Sequence, residues 1–154
     1  MTEPVKNSES ACNQGAVRRP GMLVVDASRC HGCQSCMVAC SLVHEGMVVP
    51  ELARIRIALD PFHGAQTIHY CHQCRRAPCA DACPQSAIVK DEDLQIWVVD
   101  DTLCVGCGLC VDACPFGIMR LNSSTGHAYK CDVCGGDPEC VKSCPSGALT
   151  WRWK

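Results

Sequence analysis

Cys104, Cys107, Cys110 and Cys114 fall within a single short stretch, and Pro115 follows directly. Nearly the same grouping occurs three more times, at Cys30, Cys33, Cys36 and Cys40, at Cys71, Cys74, Cys79 and Cys83, and at Cys131, Cys134, Cys140 and Cys144. Each group opens on C-x2-C and closes on C-x3-C. Only the middle gap varies: it widens to "RRAP" in the second group and "GGDPE" in the fourth. Proline follows the last cysteine in three groups, as Pro84, Pro115 and Pro145, and Ser41 takes that place in the first. No fold can satisfy this pattern without gathering thiols at four places.

Gathered thiols either form disulfides or bind metal. The chain has 17 cysteines in 154 residues, a density typical of cysteine-held scaffolds. Disulfides need an oxidising compartment. The opening "MTEPVKNSESACNQGAVRRPGMLVVD" has no apolar h-region, and its Arg18–Arg19 pair is followed by Pro20 and an apolar run too short for a signal core. The expectation is therefore a cytoplasmic protein with reduced thiols. Aromatic residues make up only 5% of the chain, so something besides side chains is expected to fill the interior. No apolar run approaches a membrane span. A formal charge of −2 without a basic block excludes a nucleic-acid footprint.

The spacing has a chemical reason. A cubane [4Fe–4S] cluster needs four thiolates converging from different directions. Three cysteines in a tight loop wrap one side of the cube, and glycines such as Gly32, Gly106 and Gly108 let that loop turn sharply. The fourth cysteine sits on the helix that follows and points away from its own loop. It ligates the other cluster of a pair, and the proline ends that helix. The third group matches the bacterial two-cluster ferredoxin run at every position. Zinc knuckles are the competing reading, but they give no role to the third close cysteine or to the proline.

Between the groups, "MLVVD" (22–26), "ARIRIAL" (53–59), "LQIWVVD" (94–100), "IMRL" (118–121) and "ALTWRW" (148–153) read as short strands. Strand, cysteine loop, short helix, strand recurs as an internal repeat. Residues 1–20 are expected to form a tail or docking arm, with Cys12 an unliganded thiol. His44, His63, His69 and His127 lack ligand spacing and are expected on the surface or in loops. The acidic turn "KDEDLQ" (90–95) is expected to be solvated. Trp151 and Trp153 alternate on one strand and either cap the core or dock a larger subunit. His31, His72, Arg75 and Arg76 lie in the cysteine loops, as solvated side chains or as charges that tune a cluster.

On these four groups the chain resembles the four-cluster ferredoxin-like electron-transfer subunits of molybdenum and tungsten oxidoreductases, such as the beta subunits of formate dehydrogenase and dimethyl sulfoxide reductase. The likeness spans about residues 22–150. "CMVACSLVHEG" with "VPELARIRI", and "YKCDVCGGDPECVKSCPSGAL" with its compact fourth group, look most similar to the small iron–sulfur subunit of tungsten-containing aldehyde oxidoreductases. Hydrogenase, formate dehydrogenase and carbon monoxide dehydrogenase subunits are close alternatives. The resemblance implies an α+β fold of two nested ferredoxin-like modules around four [4Fe–4S] clusters. The outer module would take residues 21–60 and 116–154, and the inner module residues 61–115.

It also implies the ligand sets. Cys30, Cys33 and Cys36 would share a cluster with Cys144, and Cys131, Cys134 and Cys140 one with Cys40. Cys71, Cys74 and Cys79 would join Cys114, and Cys104, Cys107 and Cys110 would join Cys83. The short, hairpin-like link "AIVKDEDLQIWVVD" supports the inner pairing by itself. The outer pairing rests on the resemblance, and tandem pairing of first with second and third with fourth stays open.

Sixteen cysteines on four clusters would leave no open coordination position, which argues against catalysis within the chain. The expected role is a relay of single electrons between a large pterin-dependent catalytic subunit and a flavin/NAD-linked subunit or a ferredoxin. Self-association would extend the relay, and a free-standing polyferredoxin is the alternative. Four cubanes of two negative charges each would bring the net charge to about −10 and call for basic faces on partners.

Overall fold

The computed structural model describes residues 19–153. Cys12 and nearly all of the expected tail lie outside the described residues. The chain forms short strands and short helices in four two-stranded antiparallel sheets. Strand β1 (Gly21–Val25) pairs with β8 (Leu149–Trp153), so the two ends of the folded chain meet. Strand β2 (Arg56–Leu59) pairs with β3 (Gln66–His69), β4 (Ile88–Asp91) with β5 (Ile96–Val99), and β6 (Arg120–Leu121) with β7 (Ala128–Tyr129). The strands β3 and β7 carry too few apolar residues to stand out in the sequence. The run at 53–59 shortens to four strand residues, after a 3-10 turn at Pro50–Leu52 and a bend.

The helices follow the prolines. Helices α2 (Pro78–Asp81), α3 (Leu109–Asp112) and α4 (Glu139–Lys142) are each one turn long. In each, the fourth cysteine and its proline follow within three residues, and proline cannot continue a helix. Helix α1 (Ser35–Glu45) runs 11 residues because Ser41 stands where the others have proline. Its Oγ accepts from the Val49 backbone N–H at 3.1 Å and donates to the Val38 carbonyl at 3.0 Å, and Gly46 ends the helix in a left-handed conformation.

Helix α1 packs on α4, and α2 packs on α3. Two apolar cores result. One holds Cys36, Cys40 and Cys140 with Met37, Ile55, Ile57 and Leu149. The other holds Cys79 and Cys110 with Ile88, Met119 and Ala128. A third patch, Leu94, Ile96 and Val133, joins the β4–β5 hairpin to the fourth cysteine loop. Leu94 is therefore buried although its turn is otherwise polar. Arg120 adds a polar tie, donating to the Glu51 carbonyl at 2.7 Å and the Ala53 carbonyl at 2.6 Å.

Of the two tryptophans on β8, Trp151 caps the core. Trp151 lies against Leu94 and Ile96 and covers Gly21, where an added Cβ would meet its ring at 2.4 Å. Trp153 is exposed, with its ring edge-on to Trp151 at 5.9 Å.

Candidate iron–sulfur sites

Each cysteine loop reverses at the residue before its second cysteine. Gly32, Gln73, Gly106 and Val133 all have positive φ there, at 70°, 46°, 69° and 52°. That turn folds the first two thiols toward one centre. Glycine takes the conformation without strain, and Gly106 also has no room for a side chain, since a Cβ would lie 2.1 Å from the Gly126 carbonyl oxygen. Gln73 and Val133 adopt the same turn at a conformational cost of about 1–2 kcal/mol.

The loops and helices bring thiols from different groups together. One cavity, partly open to solvent, is lined by Cys71, Cys74, Cys79 and Cys114. A second is lined by Cys104, Cys107, Cys110 and Cys83. A third is lined by Cys30, Cys33, Cys36 and Cys144. Three similar spaces, each with three thiols from one group and the last thiol of another, have the form that a cubane requires. Cys40, Cys134 and Cys140 are buried, and Cys131 is half-buried beside them.

The ionisation of the thiols reports the same neighbours. Burial pushes Cys36 up to about 11, and the charges of Cys33, Cys144 and Cys30 act in the same direction. Burial raises Cys110, and Cys104, Cys83 and Cys107 add to it. Burial pushes Cys140 up to about 12, followed by repulsion from Cys40 and Cys36. Cys131 is raised well above the ordinary thiol by burial, then by Asp132, Cys140 and Cys71. Thiols crowded and desolvated in this way must lose their protons to bind a metal, and the metal's charge would offset the cost of that burial.

Backbone N–H groups also aim at the sulfurs. Arg54 donates to Cys40 Sγ at 3.2 Å, Ala128 to Cys104 at 3.3 Å, Ala87 to Cys83 at 3.3 Å, and Val133 to Cys131 at 3.4 Å. Burial opposes ionisation of Cys114, but N–H groups of Met119, Ile118, Phe116 and Gly117 prevail and lower its pKa. Soft sulfur donors, cavities each lined by four thiols and N–H groups turned toward sulfur fit an iron–sulfur cubane.

His44 departs from expectation. Its side chain is 2% exposed, with Nε2 3.0 Å from Asp132 Oδ1 and Nδ1 2.8 Å from the Cys40 carbonyl. Arg54 pairs with the other Asp132 oxygen at 2.9 Å. Burial opposes a charge on His44, but the Asp132 and Cys40 hydrogen bonds outweigh it and raise its pKa to about 10. Burial acts against the Asp132 carboxylate too, and His44 and Arg54 hold it well below the usual range. The sequence hides this network because its members lie far apart in the chain. His44, Asp132 and Cys134 also stand close enough to share a metal ion. The complete ion pair around Asp132, with Cys134 among the clustered thiols, makes the group a brace beside a cysteine site.

Other loop residues follow the plainer reading. His31, Arg75 and Arg76 are exposed. His63 is exposed and bonded to Asp60 at 2.7 Å. His69 lies on β3 and His127 before β7, each half-buried. His72 is exposed at one edge and stacked between Tyr70 and Phe116, with ring centroids 4.5 and 4.1 Å away. No helix among the described residues is long and apolar enough to cross a membrane.

Comparison with known proteins agrees with this chemistry. Residues 64–152 match the family model of the 4Fe-4S dicluster domain, and residues 27–43 match a 4Fe-4S binding domain. The polyferredoxin-like subunit of aliphatic sulfonate oxidoreductase from Pyrococcus furiosus is 42% identical over 79% of this chain and 70% of its own length. The thiosulfate reductase electron transfer subunit PhsB of Salmonella typhi is 38% identical over 83% of this chain and 73% of its own. Electron transport protein HydN of Escherichia coli (strain K12) is 35% identical over 82% and 85%. Among solved structures, the active site complex BamBC of benzoyl coenzyme A reductase aligns with a TM-score of 0.52 at 25% identity, covering 90% of this chain and 81% of that one. The chain belongs to the 4Fe-4S dicluster family of ferredoxin-like electron-transfer subunits.

Proposed function

We propose that the sixteen grouped cysteines bind four [4Fe–4S] clusters in two nested modules, and that the chain relays single electrons for a catalytic partner. The observation that carries this reading is the composition of the three cavities: each takes its fourth cysteine from a different group. That composition supports crossed, nested ligation over tandem ligation. The outer module takes residues 21–60 and 116–154 and holds the Cys30, Cys33, Cys36, Cys144 set and the Cys131, Cys134, Cys140, Cys40 set. The inner module takes residues 61–115 and holds the Cys71, Cys74, Cys79, Cys114 set and the Cys104, Cys107, Cys110, Cys83 set.

The two sets of each module share an apolar core, and Cys131 lies near Cys71 between the modules. A path from the Cys30 set through the Cys131 and Cys71 sets to the Cys104 set follows. Its two end sets contain the exposed cysteines, Cys33 and Cys107. Those exposed thiolates are where partners exchange electrons. Clusters supply the one-electron chemistry, and the protein supplies burial, N–H groups and spacing.

The partner on one side is a large pterin-dependent subunit, with a tungsten aldehyde oxidoreductase the best fit to the motif details. The other side meets a flavin/NAD-linked subunit or a ferredoxin, in the cytoplasm. Relatives named as subunits of sulfonate and thiosulfate oxidoreductases support a subunit over a free carrier. Anaerobic affinity purification from the native host tests it. A tungsten- or molybdenum-containing large subunit should elute with the chain in fixed ratio. Elution of the chain alone, with reducible clusters, would leave a diffusible polyferredoxin.

A further inference from the structure

The seam between the two modules contains a buried charge. Lys130 is 4% exposed and stands immediately before Cys131. Its Nζ donates to Gln73 Oε1 at 3.0 Å and to the Trp97 carbonyl. Both acceptors are neutral, and among the described residues no carboxylate pairs with it. A buried ammonium without a counter-ion is costly, and a negative charge opposite it would offset that cost. Lys130 lines the cavity of Cys71, Cys74, Cys79 and Cys114.

Its position is fixed from three directions. Gln73 Nε2 donates to the Cys131 carbonyl at 2.7 Å, and Gln73 Oε1 also accepts from the Trp97 N–H at 3.0 Å. Trp97 Nε1 donates to the Cys74 carbonyl at 3.1 Å. The second loop, the β4–β5 hairpin and the fourth loop are thus tied at one point. Gln73 and Val133 are the two residues that take the loop turn without being glycine. Both face this seam, where Gln73 supplies the amide and Val133 the apolar packing. The conformational strain is placed where side chains are needed.

We propose that Lys130 is the counter-charge of the cluster held by Cys71, Cys74, Cys79 and Cys114, and raises that cluster's reduction potential at the junction between modules. The assignment rests on the four-cluster reading above. A fixed cation favours the more negative, reduced state of a nearby cluster. The site gains one electron, with no bond made or broken and no proton moved. Lys130 would act through its charge. Arg75 and Arg76, the cations that stand out in the sequence of this loop, are exposed and screened.

The test is an anaerobic redox titration of the holoprotein followed by electron paramagnetic resonance, with iron and sulfide counted on each sample. Lys130→Met, Lys130→Gln, Lys130→Arg and Arg75→Met are compared with the natural chain. One midpoint potential should move to more negative values in Lys130→Met and Lys130→Gln, and stay near the natural value in Lys130→Arg and Arg75→Met. Full cluster content with unmoved potentials in both neutral variants would overturn the assignment alone. So would an equal shift in Lys130→Arg, or loss of clusters from both neutral variants while Lys130→Arg keeps them, which would make Lys130 a folding residue. Absence of cubanes in the natural chain would overturn the four-cluster reading, and this assignment with it.

Discussion

His44 and Asp132 lie 88 residues apart in sequence and 3.0 Å apart in space. The contact links α1, which carries Cys36 and Cys40, to the loop that carries Cys131 and Cys134. Asp132 Oδ1 also accepts the Cys134 backbone N–H at 3.0 Å, so one carboxylate serves histidine, arginine and loop.

Asp132→Ala should therefore destabilise the fold by about 3–5 kcal/mol, the usual cost of leaving buried charged partners unpaired. The cluster proposed on Cys40, Cys131, Cys134 and Cys140 should be lost first on heating. Anaerobic thermal bleaching of the visible absorbance measures this. A variant that bleaches at the natural temperature would show that the network does not brace the site.

Ser41→Pro would give the first group the sequence of the other three. In this chain it should break α1, remove a mid-helix hydrogen bond and displace His44, at a cost of about 3 kcal/mol or more. Far-ultraviolet circular dichroism should show lost helix, and iron content should fall. An unchanged spectrum would mean that the helix does not depend on that residue.

Gly106→Ala and Gly117→Ala separate two reasons for glycine. Both positions have positive φ, at 69° and 60°, but only Gly106 faces a carbonyl oxygen where its Cβ would go. Gly117→Ala should cost about 1 kcal/mol from conformation alone. Gly106→Ala should cost clearly more and reduce cluster loading. Equal loss of thermal stability in the two would refute the close approach to Gly126.

Crossed ligation has a sharp consequence for double variants. Cys36→Ser and Cys144→Ser should each remove one cluster, lowering iron by about four per chain. The double variant should lose no more than either single one, because both residues serve the same site. Tandem ligation places them in different clusters, and the double variant would then lose about eight. Iron per chain on anaerobically prepared protein decides between the two.

Much of this architecture is legible in the sequence. Prolines 84, 115 and 145 mark the ends of one-turn helices, and Ser41 marks the helix that continues. Short apolar runs mark β1, β5 and β8 and a period-two run marks β2, though β3 and β7 are too short and polar to declare themselves. The Lys130–Gln73–Trp97 junction and the His44 network are not legible. Each joins residues far apart in sequence whose side chains, read locally, look like ordinary polar residues. Arg75 and Arg76 stand out as cations only by their place in the loop. Burial, which the loop sequence does not reveal, selects Lys130 instead.

Sixteen grouped cysteines call for four cubanes per chain. The most direct test is the count of iron and acid-labile sulfide on protein purified without oxygen. About sixteen of each per chain is the expected result. Zinc in place of iron with no sulfide, or about eight iron in a protein whose grouped cysteines are all intact, would contradict it.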